Sequence, residues 1–263
     1  MSPASGHWED LLPRLLSALA LAGFALLVTW LGGLAFNCFT TLIASVMVWE
    51  LARMLHAGAA ALWLAVGAGV SLLLAAELPG GAALPLMLVP AIAGLRFVES
   101  QKLGFLAFVM AILAASYGVM VLRAEAGFLW MIWFAFVVVA TDVGGYFAGR
   151  LIGGPKIWPK LSPKKTWSGT AAGWIAAALV SVPFAIWSGG GWFLVATGAA
   201  LALASQMGDL WESALKRRAG VKDASAIIPG HGGLLDRFDS MMGASLLLLV
   251  AGWVIDVPPL AGV

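Results

Sequence analysis

Long apolar runs follow one another along most of the chain, and they constrain the fold more than any other feature. A helix needs about 20 mainly apolar residues to cross the roughly 30 Å hydrocarbon core of a bilayer. The runs are continuous and close to that length, whereas a strand of a membrane barrel would show about ten residues of alternating polarity. The runs therefore predict an all-α, polytopic integral membrane helical bundle.

We predict nine membrane spans, with bounds that can shift by a few residues. They are 14–31, 34–52, 60–77, 82–95, 104–122, 128–149, 170–187, 192–208 and 241–257. The fourth is short and contains Pro85 and Pro90, so a kinked or re-entrant segment is an alternative there. The first resembles a signal peptide, but apolar spans continue after it and we expect it to stay as a helix. We divide the chain into N-terminal helices, 1–127, and a C-terminal catalytic region, 128–263.

Lysine and arginine predict the orientation, because they are retained preferentially in cytoplasmic loops. The loop 150–169 is basic and contains no acid. If it is cytoplasmic, the predicted spans leave only Arg123, of the 15 cations, on the opposite side. We therefore expect a multi-pass protein of the cell inner membrane whose N-terminus and active-site cleft face the cytoplasm.

Composition excludes several classes of protein. Hydrophobic residues make up 62% of the chain and charged residues only 11%. A soluble domain contains about 25% charged residues and could not bury this much apolar surface. A net charge of +2 in such an apolar chain does not indicate nucleic-acid binding. The single cysteine excludes a cysteine-rich metal site.

The first polar stretch begins inside the sixth apolar run. Asp142 lies there, and an ionisable group at that depth is costly unless it is paired or hydrated, so it marks either a site or an interhelical ion pair. Tyr146 and Arg150 follow at four-residue steps on the same helix face. These side chains could line one polar cleft.

The same stretch ends just before the seventh span with Ser162, Lys164, Lys165 and Thr166. Free backbone N–H groups at a helix start, together with two ammonium groups, would favour a phosphate. The lysines could equally set the topology or contact anionic lipid headgroups. Both interpretations stay open from the sequence.

The second polar stretch, 209–240, should share a face with the first, because two predicted spans separate them. It opens as a helix with one polar and one apolar face. The polar face holds Asp209, Glu212, Ser213 and Lys216. An ordinary interfacial helix would show the same pattern, and that alternative stays open.

The rest of this stretch mixes glycines with charged residues. It contains Arg217, Lys222, Asp223, His231, Gly232, Gly233, Asp236, Arg237 and Asp239. Glycines let the backbone approach a ligand and point N–H groups at phosphate oxygens, although a plain turn would also need them. Carboxylates beside basic groups suit a hard cation such as Mg²⁺, although either Asp236 or Asp239 could instead cap the ninth span. The pattern predicts divalent-metal phosphoryl chemistry.

At these residues the chain resembles the phosphatidate cytidylyltransferases, also called CDP-diglyceride synthases. The family pattern of Ser, Lys-Arg, Lys-Asp, His-Gly-Gly, Asp-Arg and Asp is met, with its spacing, from Ser213 to Asp239. The segments 142–150 and 162–167 are also similar to the family. The first five spans match in hydrophobic character and in Trp49-Glu50. One departure is Ser168, where members commonly have glutamate.

The resemblance implies that CTP and phosphatidate react to give CDP-diacylglycerol and pyrophosphate, with Mg²⁺ as cofactor, in phospholipid biosynthesis. It implies Asp209 and Asp236 as metal ligands, with Asp223 and Asp239 as candidate further ligands. These four carboxylates are expected to be catalytic, together with Lys216, Arg217, Lys222, His231 and Arg237. The first stretch, with Glu212, Ser213, Gly232 and Gly233, is expected to bind substrate. His231 is expected to donate a hydrogen bond to phosphate, since the attacking oxygen is already anionic.

Other functions fit parts of the pattern. A polyprenol kinase, or a cytidylyltransferase acting on an ether lipid, would need similar polar groups. A transporter would be expected to carry an inverted repeat, and none is visible. A non-catalytic scaffold would not need the acids, bases and glycines of 209–240. The sequence leaves open the acyl-chain preference, the lipid entry route, a second cation and homo-oligomer formation.

Overall fold

The computed structural model describes residues 22–78, 80–159, 161–227 and 232–254. These residues form nine helices: α1 Ala22–Leu31, α2 Gly33–Met54, α3 Ala60–Glu77, α4 Gly80–Gly94, α5 Lys102–Val121, α6 Phe128–Leu151, α7 Trp167–Ser188, α8 Gly191–Arg218 and α9 Leu235–Val254. A π-helical turn, Leu122–Ala126, continues α5. Strands β1, Lys156–Trp158, and β2, Ser162–Thr166, form an antiparallel hairpin between α6 and α7.

Six helices in the described part of the chain are long and apolar enough to cross a membrane: α2, α3, α5 with its π-helical turn, α6, α7 and α8. The helix α4 has 15 residues and contains Pro85 and Pro90, which is short for a full crossing. The outer ends of the first and ninth predicted spans, 14–21 and 255–257, lie outside the described residues. The multi-pass helical membrane fold is thus confirmed, while nine crossings and the division at residue 127 stay predictions.

The hairpin is a difference from the all-helical prediction. Lys156 pairs with Thr166 and Trp158 pairs with Ser162. Trp167 N donates to Pro155 O at 3.1 Å, which holds the base of the hairpin where α7 begins. Both strands are largely exposed, so they lack the alternation of apolar and polar residues that would have revealed them in the sequence.

Two clusters of buried side chains stabilise the bundle. One lies among α2, α3, α4 and α5 and includes Leu51, Leu72 and Phe105. The other lies mainly among α6, α7 and α8 and includes Trp133, Phe134 and Leu201. The helix α9 contributes Met242 to the first cluster and Ala244 to the second. The start of α9, which carries the Asp236–Asp239 motif, is therefore held at the junction of both clusters.

Arg123 marks the end of the bundle opposite the polar motifs. Its Nε donates to Thr29 O at 2.6 Å and its Nη2 to Trp30 O at 2.9 Å, so it caps the C-terminus of α1. At the other end of α5, Gly104 packs against Leu215 near the end of α8. Arg123, the cation that the predicted spans place on the opposite side from the others, thus has a structural role as the cap of α1.

The helices α8 and α9 cross at two glycines. A Cβ atom on Gly208 would overlap the carbonyl oxygen of Asp239, and one on Gly243 would overlap that of Ala204. The backbones can approach this closely only without side chains. Because Asp209 follows Gly208, this crossing brings Asp209 towards Asp239.

Substitution of Gly243 by alanine should therefore separate α8 from α9. We expect a loss of about 1–3 kcal/mol of stability, the usual range for overpacking, together with reduced activity. Thermal unfolding in detergent measures the first effect. Gly252→Ala on the same helix is the matched control, because a Cβ there meets nothing within 4 Å. Equal melting temperatures for the two variants would contradict a tight crossing.

Candidate active site

Three carboxylates from two helices form the centre of the polar face. Asp209 and Glu212 of α8 and Asp239 of α9 each offer an oxygen within 4.8 Å of the others, and we name them the carboxylate cluster. Glu212 is fully buried and Asp239 is nearly so. Repulsion and desolvation make such a group costly unless cations neutralise it.

Lys216 supplies part of this neutralisation. It lies one turn after Glu212, and its Nζ is 2.5 Å from Glu212 Oε2 and 2.6 Å from Asp236 Oδ1. Glu212 Oε1, by contrast, is buried with no hydrogen-bond partner among the described residues. Lys216 thus bridges α8 and α9 and leaves one carboxylate oxygen free for another cation.

Asp236 organises the segment between α8 and α9. Its Oδ2 accepts from Ala224 N at 2.9 Å and from Gly233 N at 2.8 Å. Gly232 has φ +87°, a conformation that favours glycine, and a Cβ there would lie 3.0 Å from Asp236 Oδ2. Asp236 therefore accepts backbone N–H groups from the segment that precedes α9, and whether it caps the ninth span stays a prediction.

Glu50 holds the same segment from the N-terminal half of the chain. This fully buried residue of α2 accepts from Ser225 Oγ at 2.5 Å, from Leu234 N at 2.9 Å and from Leu235 N at 2.7 Å. A Cβ on Gly233 would lie 2.6 Å from Glu50 Oε1, so only glycine fits there. Glu50 thus satisfies backbone donors at the start of α9.

A polar cavity of about 540 Å³ adjoins the carboxylate cluster. Asp209 belongs to both, because it lines the cavity and forms an ion pair with Lys165. Other charged or ring-bearing residues in its wall are Asp142, Tyr146, Arg150, Lys156 and Lys164. The cavity therefore combines cations suited to phosphate groups with the one partly exposed member of the cluster.

Close contact between α6 and α7 shapes the floor of this cavity. A Cβ on Gly169 would lie 2.5 Å from Gly145 O, and one on Gly149 would lie 3.0 Å from Thr166 Oγ1. Thr166 caps α7, its Oγ1 accepting from Gly169 N at 3.2 Å. Ser168, the departure from the family pattern, bonds to Thr166 Oγ1 and to the carbonyl oxygen of Gly153. It fastens the hairpin to α7.

The electrostatics of the two aspartates on the first turns of α9 differ. Burial opposes ionisation of Asp236, but hydrogen bonds from Lys216, Gly233 and Ala224 outweigh it and lower the pKa of this carboxyl. Burial, and then the charge of Asp209, raise the pKa of Asp239 to about 7. A cation at the cluster would offset that repulsion, so Asp239 is suited to bind one.

The structure brings most of the predicted residues together at this face. The cavity wall and the carboxylate cluster, with their direct contacts, include Asp142, Tyr146, Arg150, Lys164, Lys165, Thr166, Asp209, Glu212, Ser213, Lys216 and Asp239. Asp236 joins them through Lys216, and Gly232 and Gly233 contact Asp236. Asp142 accepts from Ser240 Oγ at 3.4 Å. This hydrogen bond links α6 to α9.

The other predicted residues lie further out. Ser162 is in β2, and Lys222, Asp223 and Arg237 are exposed. Arg217 is also exposed, and its Nη1 donates to Val221 O at 3.2 Å. His231 lies outside the described residues. The predicted metal pair is not drawn together directly, because the nearest carboxylates to Asp209 are Glu212 and Asp239, while Asp236 binds Lys216.

Comparison with known proteins gives the family. A model described as the cytidylyltransferase family matches residues 12–254. The chain belongs to this family. A phosphatidate cytidylyltransferase of Brucella suis is 33% identical over 270 residues, which cover 95% of this chain and 96% of the relative.

Two further relatives of the same name match shorter stretches. The one from Staphylococcus saprophyticus is 47% identical over 113 residues, 41% of this chain and 44% of its own. The one from Mycobacterium tuberculosis is 37% identical over 146 residues, 54% of this chain and 43% of its own. The family resemblance read from the motifs is thus confirmed.

Three polar residues that the sequence did not single out also lie at or beside the site of this cytidylyltransferase-family chain. Glu50 stands out in the sequence only as part of a family-like dipeptide, although an acid inside an apolar run is the same signal that singles out Asp142. Lys156 and Gln206 also line the polar cavity. Gln206 is held by Trp174 Nε1, which donates to its Oε1 at 2.9 Å. A polar residue in the apolar run just before Asp209 was the available signal.

The residues present fit a hard divalent cation. Three carboxylates converge, and the buried Glu212 Oε1 lacks a hydrogen-bond partner in the described part of the chain. Oxygen ligands of this kind suit Mg²⁺. The donor set therefore agrees with the cation that the sequence predicted.

Proposed function

We propose that this protein is a phosphatidate cytidylyltransferase of the inner membrane, which converts CTP and phosphatidate to CDP-diacylglycerol and pyrophosphate with Mg²⁺. The observation that carries the proposal is the position of Asp209. It joins a cation-lined cavity, large enough for a nucleotide, to a buried carboxylate cluster. The names of the relatives indicate the substrates, and the cavity contains cationic side chains that suit their phosphate groups.

The reaction needs alignment more than acid–base chemistry. A phosphate oxygen of phosphatidate attacks the α-phosphorus of CTP, a new P–O bond forms, and the bond from that phosphorus to the bridging oxygen breaks. Pyrophosphate leaves with the electron pair. Because the nucleophile is already anionic, the main barrier is repulsion between polyanions and their orientation.

Asp209 and Asp236 are the proposed metal ligands, joined by Asp239 and Glu212. Asp236 and Asp239 lie three positions apart on α9, so a cation beside Asp209 and Asp239 would be within about one helical turn of Asp236. When bound, Mg²⁺ would neutralise and orient phosphate oxygens. The low pKa of Asp236 keeps this carboxylate ionised for that purpose.

The cations of the cavity would bind the phosphates. Lys165 now pairs with Asp209, and a metal ion on Asp209 would free its ammonium group for the triphosphate. Arg150, Lys156 and Lys164 line the same wall. Lys216 is a positioning residue that holds Glu212 and Asp236 in place. We expect this polar face to be cytoplasmic, where CTP is available.

Two labelled forms of CTP test the reaction. We expect purified protein with phosphatidate and Mg²⁺ to move label from the α-phosphate into extractable lipid, while γ-phosphate label stays in water as pyrophosphate. Label from the γ-phosphate in lipid would indicate a kinase instead. Transfer to ether-lipid or polyprenyl acceptors without transfer to phosphatidate would refute the proposed substrate.

A further inference from the structure

A second cavity, of about 430 Å³, lies beside the polar one and differs from it in character. Residues of α1, α2, α5, α6 and α9 form its wall, and none of them is charged. The polar groups in the wall are hydroxyls, such as those of Thr40 and Ser116. Such a cavity excludes a phosphate headgroup and suits a hydrocarbon chain.

The two cavities are neighbours along α6. The apolar cavity is lined by Met131 to Val139 on this helix, and the polar cavity by Thr141 onwards. Val139 precedes Asp142 by three residues, which is about 4.5 Å along the axis. An amphiphile could therefore occupy both cavities at once.

The start of α9 makes the same connection. Phe238 and Met241 line the apolar cavity, and between them lie Asp239 of the carboxylate cluster and Ser240. Ser240 Oγ donates to Asp142 Oδ1 at 3.4 Å, so α6 and α9 meet where the cavities meet. If a lipid phosphate bound at the carboxylate cluster, its glycerol group would lie next to the apolar cavity.

One wall of this cavity faces outward. Leu26 of α1 and Phe136 and Val139 of α6 are each half exposed or more. In a membrane protein that surface is in contact with lipid tails. A chain from the bilayer would reach the cavity from this side, between α1 and α6.

We propose that this apolar cavity binds an acyl chain of phosphatidate and that Ala135 and Ile132 determine how well long chains are used. The inference rests on the proposed function and goes beyond it by naming the lipid subsite. Ala135 lies seven residues from Asp142, about 10 Å along α6, and Ile132 lies about 4.5 Å deeper. A long acyl chain would contact these positions with its distal part, whereas a short chain would end before it reached them.

Phosphatidates of two lengths test the inference with Ala135→Phe, which places a ring across the cavity. We expect the kcat/KM for dioleoyl phosphatidate to fall at least about tenfold, since the ring would block the path of the long chain and misplace the lipid phosphate relative to CTP. The kcat/KM for dihexanoyl phosphatidate and the KM for CTP should change less than about twofold. Ala200→Phe, exposed on α8 and outside the walls of both cavities, is the matched control.

Ile132→Ala keeps the test decisive if the larger residue prevents folding. It removes contacts with the distal chain, so the ratio of kcat/KM for the long lipid to that for the short lipid should again fall. An unchanged ratio in folded, active variants would overturn the inference and would indicate that membrane lipid, and not the substrate, fills the cavity. Equal losses on both lipids would overturn it too. Absence of transfer to either lipid by the wild type would instead refute the proposed function, and with it the assignment of a phosphatidate acyl chain to this cavity.

Discussion

Asp209→Asn should lower cytidylyl transfer at least about 100-fold, the scale of losing a group that holds a catalytic charge in place. Asp209 belongs to both the polar cavity and the carboxylate cluster, and its ion pair with Lys165 shows that it attracts cations. The amide keeps the shape and removes the charge. Transfer of α-phosphate label from CTP to lipid, measured across Mg²⁺ concentrations, gives both the rate and the metal requirement.

The matched control is Glu99→Gln, an exposed residue between α4 and α5. It makes the same charge change outside both cavities and should keep near-normal activity. Asp236→Asn, measured in parallel, should also raise the Mg²⁺ concentration needed for half the maximal rate. A lower rate with an unchanged Mg²⁺ requirement would make Asp236 a structural residue and leave Asp209, Glu212 and Asp239 as the ligand set.

Glu50→Ala should reduce both stability and activity strongly. The change leaves two backbone N–H groups and the Ser225 hydroxyl without their buried acceptor, and each lost partner costs about 1–3 kcal/mol. The start of α9 would then be free to move, and Asp236 and Asp239 with it. We expect a lower melting temperature in detergent, faster proteolysis at 219–227 and transfer reduced at least about 100-fold, as for a misplaced catalytic group.

Glu77→Ala is the control for this change, because Glu77 is an exposed acid at the C-terminal end of the neighbouring helix α3. It should melt close to the wild type. Glu50→Gln keeps the shape and one acceptor oxygen and should give an intermediate loss. If Glu50→Ala melted like Glu77→Ala, the contacts of Glu50 would not be what holds the motif segment.

Signals that lie within one segment were readable from the sequence. Apolar runs predicted the membrane class because a helix must satisfy its backbone groups internally and match the bilayer thickness. The spacing from Ser213 to Asp239 identified the family, and the polar face of α8 was predicted from its helical period. Asp142 was found because an ionisable residue in an apolar run needs a partner or a cavity.

Relations between segments came only from the tertiary structure. Glu212 and Asp239 join Asp209 because α8 and α9 cross at Gly208 and Gly243, and no local pattern shows where two helices cross. Asp236 binds Lys216 rather than lying beside Asp209, since side-chain reach across the crossing decides the pairing.

Glu50 shows most clearly which contacts could not be predicted from the sequence. It contacts a motif more than 170 positions along the chain, at Ser225, Leu234 and Leu235. The composition of this chain decided that it would be a membrane bundle, and its motifs decided what chemistry it carries. Packing alone decided which carboxylates meet and which cavity lies beside them, because helix crossings depend on contacts between residues far apart in sequence.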